Sequence, residues 1–190
     1  DRDRASSKIL SLRADFPALA IVAYVESDRA GSYFDLGGLG VDGVVVGGGR
    51  ANGVRGDLDL ALSTARARQV ESLLEDRIPE PGPAAVVWAM VHAGPQTSVE
   101  RLAGALGYSP RGLRHALSAV GLPTPSRVLL WGRLILAGAR LAERGRTVED
   151  VAFSLGYATS TSLARAMKVH TGLTPAAIAR DGNMFTVLNR

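Results

Sequence analysis

Residues 99–108 read Val99-Glu100-Arg101-Leu102-Ala103-Gly104-Ala105-Leu106-Gly107-Tyr108, and residues 148–157 read Val148-Glu149-Asp150-Val151-Ala152-Phe153-Ser154-Leu155-Gly156-Tyr157. Both follow the pattern V-E-x-x-A-x-x-L-G-Y. Each copy is followed by a helix-like segment and a closing turn, Gly121-Leu122 in the first and Gly172-Leu173 in the second. One copy has the pattern of a helix-turn-helix. Two copies in one basic stretch imply two helices built to read DNA.

The local chemistry of each copy supports that reading. Ser98 and Thr147 stand where a helix N-cap is expected, just before an apolar periodic run. Ala103 and Ala152 are small enough for a second helix to cross closely. Gly107 and Gly156 can take the left-handed conformation that ends a helix. Tyr108 and Tyr157 are then expected to drop into the core. Ser109 and Thr159 cap the next helices, and Pro110 suits a first turn because its missing N–H is not needed there. Leu113, Ala116 and Leu117 form one inward stripe, and Leu163, Ala166 and Met167 the other. Arg111, Arg114 and His115 are left on the outer face of the first of these helices, and Ser160, Thr161, Ala164 and Arg165 on that of the second. Arginine can hold guanine O6 and N7 bidentately, Ser and Thr are versatile, and Ala can touch a thymine methyl. Lys168, one turn further, is better placed for a phosphate. Phosphate contacts supply affinity rather than sequence.

These residues carry a resemblance. From about Ala84 to Arg180 the chain resembles the DNA-binding domain of the AraC family of transcription regulators. The stretch VEDVAFSLGYATSTSLARAMKVHTGLTP, 148–175, is close to that family's signature segment. The family's asymmetry is also present, with one more residue between Tyr157 and Leu163 than between Tyr108 and Leu113. The resemblance implies an all-α domain with two helix-turn-helix units joined by a linker helix. It implies base reading by Arg111, Arg114 and His115 and by Ser160, Thr161, Ala164 and Arg165. His115 departs from the usual Arg. Phosphate contacts are expected from Ser98, Ser109, Thr147, Thr159 and Lys168.

The linker helix is expected from Ser126 to about Glu143, roughly 27 Å at 1.5 Å per residue. That length suits two reading helices about one DNA turn, ~34 Å, apart. Arg133-Leu134 and Ala137 match the family's linker pattern, while Arg140 stands where an apolar residue is common. Leu130, Trp131, Ile135 and Leu136 crowd the helix with more apolar groups than one stripe holds, so the helix wants a second burial surface. Either these residues are ordinary core or they form a protein interface.

The boundary between the two halves falls at IPEPGP, 78–83, whose prolines and glycine cannot continue a helix or a central strand. Residues 1–77 are then one part, 78–83 a linker and 84–190 the double helix-turn-helix domain. In the first part, residues 6–14 read as a helix, 19–25 as a buried strand, 27–36 as a weaker helix and 41–46 as a second buried strand. The stretch 57–76 is a long amphipathic helix with Leu58, Leu62, Ala65, Val70, Leu73 and Leu74 at helical spacing. Apolar strands between helices imply an α/β part with a parallel sheet covered on both faces. Two strands are too few for such a sheet alone. The chain also does not begin with Met, so further strands are expected before Asp1 or from a partner.

FPALAIVAYVE and GVDGVVVGG resemble the fourth and fifth strands of a response-regulator receiver domain. The Thr or Ser usual after the fourth strand falls near Val25, and the Lys usual after the fifth falls at Gly47. The resemblance therefore implies a degenerate, incomplete receiver that docks or dimerises. Gly47–Gly49 could cradle a phosphate. The run lacks GxGxxG and a P-loop Lys, and a strand-ending turn is the plainer reading.

Charge divides at the same place. Residues 1–96 carry a net −3 and residues 97–190 a net +7, within a total of +4. Only the second half is therefore expected to meet a polyanion, unless its charge is simply a solvated surface. Cysteine is absent, so there is no disulfide framework or thiolate site. The three histidines are scattered without metal-ligand spacing, and no Ser-His-acid set can be placed. The expectation is a bacterial regulator, not an enzyme, that binds double-stranded promoter DNA without a cofactor and is cytoplasmic and nucleoid-associated. RNA polymerase is an expected partner, a homodimer through the first part a further candidate, and a membrane is not expected. Activation is the expected direction. The rival readings are an interaction module without DNA affinity and an enzyme using the glycine run.

Overall fold

The computed structural model describes residues 2–16, 19–26, 35–47, 51–143 and 145–181. The chain divides into two compact units, Asp1–Ser72 and Leu73–Arg190. Described residues form a mostly helical protein with one two-stranded parallel sheet. None of their helices is long and apolar enough to cross a membrane.

The first unit contains α1 (Arg2–Asp15), β1 (Val22–Val25), β2 (Gly43–Val46) and most of α2 (Ala51–Leu74). The strands run parallel, with Val22 opposite Gly43 and Val25 opposite Val46. The weaker helix expected over 27–36 lies mostly outside the described residues, although 35–38 are helical. The expectation of strands buried on both faces is corrected. Val45 is buried, but its sheet neighbours are half-buried and Tyr24 is 68% exposed. Each strand of a two-stranded sheet is an edge, so neither is enclosed.

The expected stripe of α2 holds at Ala65 and Val70, which are buried, but Leu58 and Leu73 are exposed, and Ala61, Ser63 and Ala67 are buried in addition. Small residues let this helix close onto the sheet. A Cβ placed at Gly43 would stand 2.6 Å from the Cβ of Ala61.

Asp42, at the entry to β2, ties the unit together. Its carboxylate is buried and accepts from Arg13 of α1 at 2.9 Å and from the backbone N–H of Ile21 at 2.8 Å. Arg68 of α2 pairs with its other oxygen. Arg13 donates in addition to the carbonyl of Leu19 at 2.8 Å. A buried carboxylate needs such partners, since desolvation without them costs several kcal/mol. Periodicity gave no signal for this cluster, because its members are spread from residue 13 to residue 68.

The second unit contains α3 (Gly82–Val91), α4 (Val99–Ala105), α5 (Pro110–Ala119), α6 (Pro125–Leu141), α7 (Val148–Ser154), α8 (Ser160–Thr171) and α9 (Pro175–Asp181). The proline-rich stretch ends inside structure. Pro81, Gly82 and Pro83 are buried, and Gly82-Pro83 open α3.

α6 is the central rod. Pro125, Val128, Leu129, Gly132, Leu134, Ile135, Leu136, Ala137, Gly138, Ala139 and Leu141 are buried along it. Such residues point all round a helix, which must then be covered on several sides. α3 provides the most extensive cover, and α4, α5, α7 and α9 also pack against α6. The expectation of an outward apolar surplus is therefore corrected for Ile135 (5% exposed) and Leu136 (1%), which are core. Leu130 and Trp131 remain half-buried.

Candidate nucleic-acid interface

The repeated sequence folds into a repeated structure. α4 and α7 each have seven residues. Ser98 and Thr147 cap them, accepting from the backbone N–H groups of Arg101 and Asp150. A cap of this kind contributes about 1 kcal/mol. The backbone N–H of Tyr108 donates to Ala103 at 2.8 Å, and that of Tyr157 to Ala152 at 2.9 Å. Gly107 (φ +75°) and Gly156 (φ +81°) make the left-handed turns between these bonds. Glu100, in the first turn of α4, has its carboxyl held below the usual carboxylate range by its own backbone N–H and by the Ser98 hydroxyl.

The second helices are capped by Ser109, accepting from Gly112 at 3.0 Å, and by Thr159, accepting from Ser162 at 3.1 Å. Leu113 and Leu117 of α5 and Leu163 and Met167 of α8 are fully buried. With those side chains inward, Arg111, Arg114 and His115 are exposed on α5, and Thr161 and Arg165 on α8. Ser160 and Ala164 are half-buried. Gly172 (φ +72°) closes α8, and the ammonium of Lys168 donates to its carbonyl at 3.1 Å. Lys168 thus neutralises the end of its own helix, a contact its exposure and spacing in the sequence did not reveal.

The two copies differ in how their tyrosines are held. Tyr108 is 40% exposed, contrary to the expectation that it enters the core. Tyr157 is half-buried, with the Arg133 guanidinium of α6 over its ring, 5.7 Å from the centroid. Burial pushes the Tyr157 phenol above its ordinary value, and the charge of Arg133 opposes the shift. The second turn is also the more crowded one. A Cβ at Gly156 would lie 3.0 Å from the backbone of Pro95, whereas one at Gly107 would meet nothing within 4 Å. Arg140, where an apolar residue was expected, reaches from α6 to α7 and donates to Ser154 Oγ at 2.8 Å. That hydroxyl donates in turn to the carbonyl of Val151 at 2.9 Å.

In the first unit, the glycine run opens with Gly47, whose absent side chain makes room for Tyr24. A Cβ there would stand 2.6 Å from the tyrosine hydroxyl. Close approach of the two strands therefore accounts for Gly47. Gly48 and Gly49 lie outside the described residues.

Two capped helix pairs with left-handed glycine turns, set on one central helix, define a double helix-turn-helix domain. Residues 102–181 match the family model described as a helix-turn-helix domain. Three solved structures show similarity. A DNA-binding transcriptional dual regulator from Escherichia coli K-12 is 20% identical, with 55% of this chain and 93% of that one covered and a TM-score of 0.49. A transcriptional regulator from Chromobacterium violaceum, described as an AraC-type DNA-binding domain-containing protein, is 19% identical over 54% and 93%, with a TM-score of 0.48. The C-terminal domain of AraT, a response regulator from Geobacillus stearothermophilus, is 21% identical over 55% and 88%, with a TM-score of 0.45. No curated protein matches the chain.

Proposed function

We propose that this protein is a sequence-specific, DNA-binding transcription regulator that seats α5 and α8 in successive major-groove segments of promoter DNA. The observation that carries the reading is the pair of outer helix faces. α5 buries Leu113 and Leu117 and leaves Arg111, Arg114 and His115 exposed, and α8 buries Leu163 and Met167 and leaves Thr161 and Arg165 exposed. α6, 17 residues long with most of them buried and about 26 Å in length at 1.5 Å per residue, is a stiff spacer between the two helix pairs. The net +7 of residues 97–190 supplies the complement to a polyanion.

In this reading Arg111, Arg114, His115, Ser160, Thr161, Ala164 and Arg165 face bases. Ser98, Ser109, Thr147 and Thr159 face phosphates. Each of these four hydroxyl oxygens accepts a backbone N–H at the start of its helix, where the helix end favours an anion. Lys168 can add a phosphate contact beside its bond to Gly172. The first unit is a regulatory part, receiver-like in its parallel strand pair, and the output is activation through contact with RNA polymerase.

A gel shift of the full chain against a library of promoter fragments tests the reading. Binding is expected to select particular fragments and to weaken steeply as salt rises, because neutralised phosphates release counterions. Binding without selection, or a flat dependence of log K on log salt, overturns it. Loss of DNA binding altogether would favour the interaction-module reading.

A further inference from the structure

The second unit contains a cavity of about 450 Å³ on the side of α6 that Trp131 faces. Its walls are apolar, formed by Leu74, Ile78, Val86, Leu122, Trp131 and Ile135 among others. The volume lies in the range of small-molecule sites, about 300–1,000 Å³. Two polar side chains also line it, Arg127 from the first turn of α6 and His170 from the last turn of α8. Neither has a hydrogen bond, ion pair or ring partner among the described residues. Thr171, the remaining polar residue of the lining, is occupied, since its hydroxyl donates to Met167 and accepts from Leu173.

An apolar chamber with an unpaired guanidinium at its exposed edge suits a ligand with an apolar body and an anionic head. A planar carboxylate matches the guanidinium fork bidentately. The indole of Trp131, half-buried and without a polar partner, offers a face for an aromatic body. We infer that this cavity binds a compact aromatic carboxylate, with Arg127 holding the carboxylate, His170 adding a hydrogen bond and Trp131 packing on the ring system. The site is independent of the DNA-binding reading, because it lies among core helices rather than on the exposed faces of α5 and α8. Its walls nevertheless include the last turn of α8, so occupancy would bear on the helix that carries Arg165.

Calorimetric titration of the full chain with 2-naphthoate, and with its uncharged counterpart 2-naphthamide, tests the site. The carboxylate is expected to bind once per chain and more tightly than the amide. Arg127→Gln removes an exposed charge with no structural partner, so it should leave the fold intact. It is expected to weaken 2-naphthoate by about tenfold or more, as for loss of a charged hydrogen bond, and to leave 2-naphthamide unchanged. Trp131→Ala is expected to weaken both ligands together. Absence of binding by the wild-type chain overturns the inference. So does 2-naphthoate affinity that is equal in the wild-type and Arg127→Gln proteins.

Discussion

Gly132 of α6 lies directly against Ala89 of α3, so close that a Cβ at position 132 would stand 2.5 Å from the Cβ of Ala89 and 2.7 Å from its carbonyl carbon. The backbone nitrogen of Met90 would be 2.8 Å away. The obstructing atoms are mostly backbone, so the clash is relieved only by moving the helices apart. Gly132→Ala is therefore expected to destabilise the second unit by about 1–3 kcal/mol, as overpacking does. On helix propensity alone the same change would stabilise by about 1 kcal/mol. Gly104→Ala in α4, where a Cβ meets nothing within 4 Å, provides the contrast. Urea midpoints should fall for the first variant and hold or rise for the second. A midpoint for Gly132→Ala at or above wild type would disprove the close crossing.

The two turn glycines should respond unequally. Both have φ near +80°, so alanine at either costs roughly 1–2 kcal/mol in backbone strain. Gly156→Ala also drives a Cβ to 3.0 Å from the backbone of Pro95. Thermal unfolding should show the larger loss for Gly156→Ala than for Gly107→Ala. Equal losses would mean that the Pro95 segment yields without cost.

Base and phosphate contacts are separable by mutation. Arg165→Ala is expected to cost about 1–3 kcal/mol on the preferred site and to relax preference at one base position. Lys168→Ala should weaken all sequences about equally and lower the salt slope by about one. Its loss of the bond to Gly172 affects the C-terminal turn of α8 rather than base choice. Indistinguishable profiles on a panel of single-base variants would contradict this assignment.

Tyr157 gives the second unit an alkaline liability. Its phenol pKa is raised in the folded protein by burial, with Arg133 working against the shift. Raising an acid's folded pKa means that the unfolded chain releases the proton first. The associated stability is complete below the ordinary tyrosine pKa, about 10, and is lost as pH rises through the higher folded value. Tyr157→Phe should therefore lose less stability than wild type between neutral and strongly alkaline pH, in denaturant titrations at matched ionic strength. A parallel decline in both proteins would refute the role given to Tyr157.

Asp42 is expected to be the most sensitive single position of the first unit. Asp42→Asn keeps the shape and removes the charge that both Arg13 and Arg68 face. Breaking a buried pair from one side costs about 3–5 kcal/mol, and the partial exposure of both arginines reduces that toward the lower figure. Proteolysis should attack the first unit of this variant while sparing residues 84–181. Unchanged resistance of the first unit would show that the cluster is not a stabilising one.

The helix-turn-helix pairs were legible in the sequence because their determinants are local. Ser98, Ser109, Thr147 and Thr159 cap the helices that begin next to them. Gly107, Gly156 and Gly172 adopt the left-handed turns that their positions require. The inward leucines follow from a period of 3.6 residues, and the exposed arginines are what that period leaves over. The parallel pairing of the two strands was legible for a similar reason, since helical segments on either side leave few other connections.

Tertiary structure alone decided which of the remaining apolar residues are enclosed. Leu136 is core because α6 is covered on several sides, and a sequence pattern cannot count the helices around it. Tyr108 and Tyr157 occupy equivalent places in the repeat, yet only Tyr157 has Arg133 above it. Ala61 of α2 is buried while Leu58 and Leu73 are exposed, because Gly43 lets Ala61 approach the sheet. Asp42 joins Arg13, Ile21 and Arg68, from three separate segments of chain. The physical distinction is one of range: caps, turns and helical period act between near neighbours in the chain, whereas enclosure depends on residues that meet only after folding.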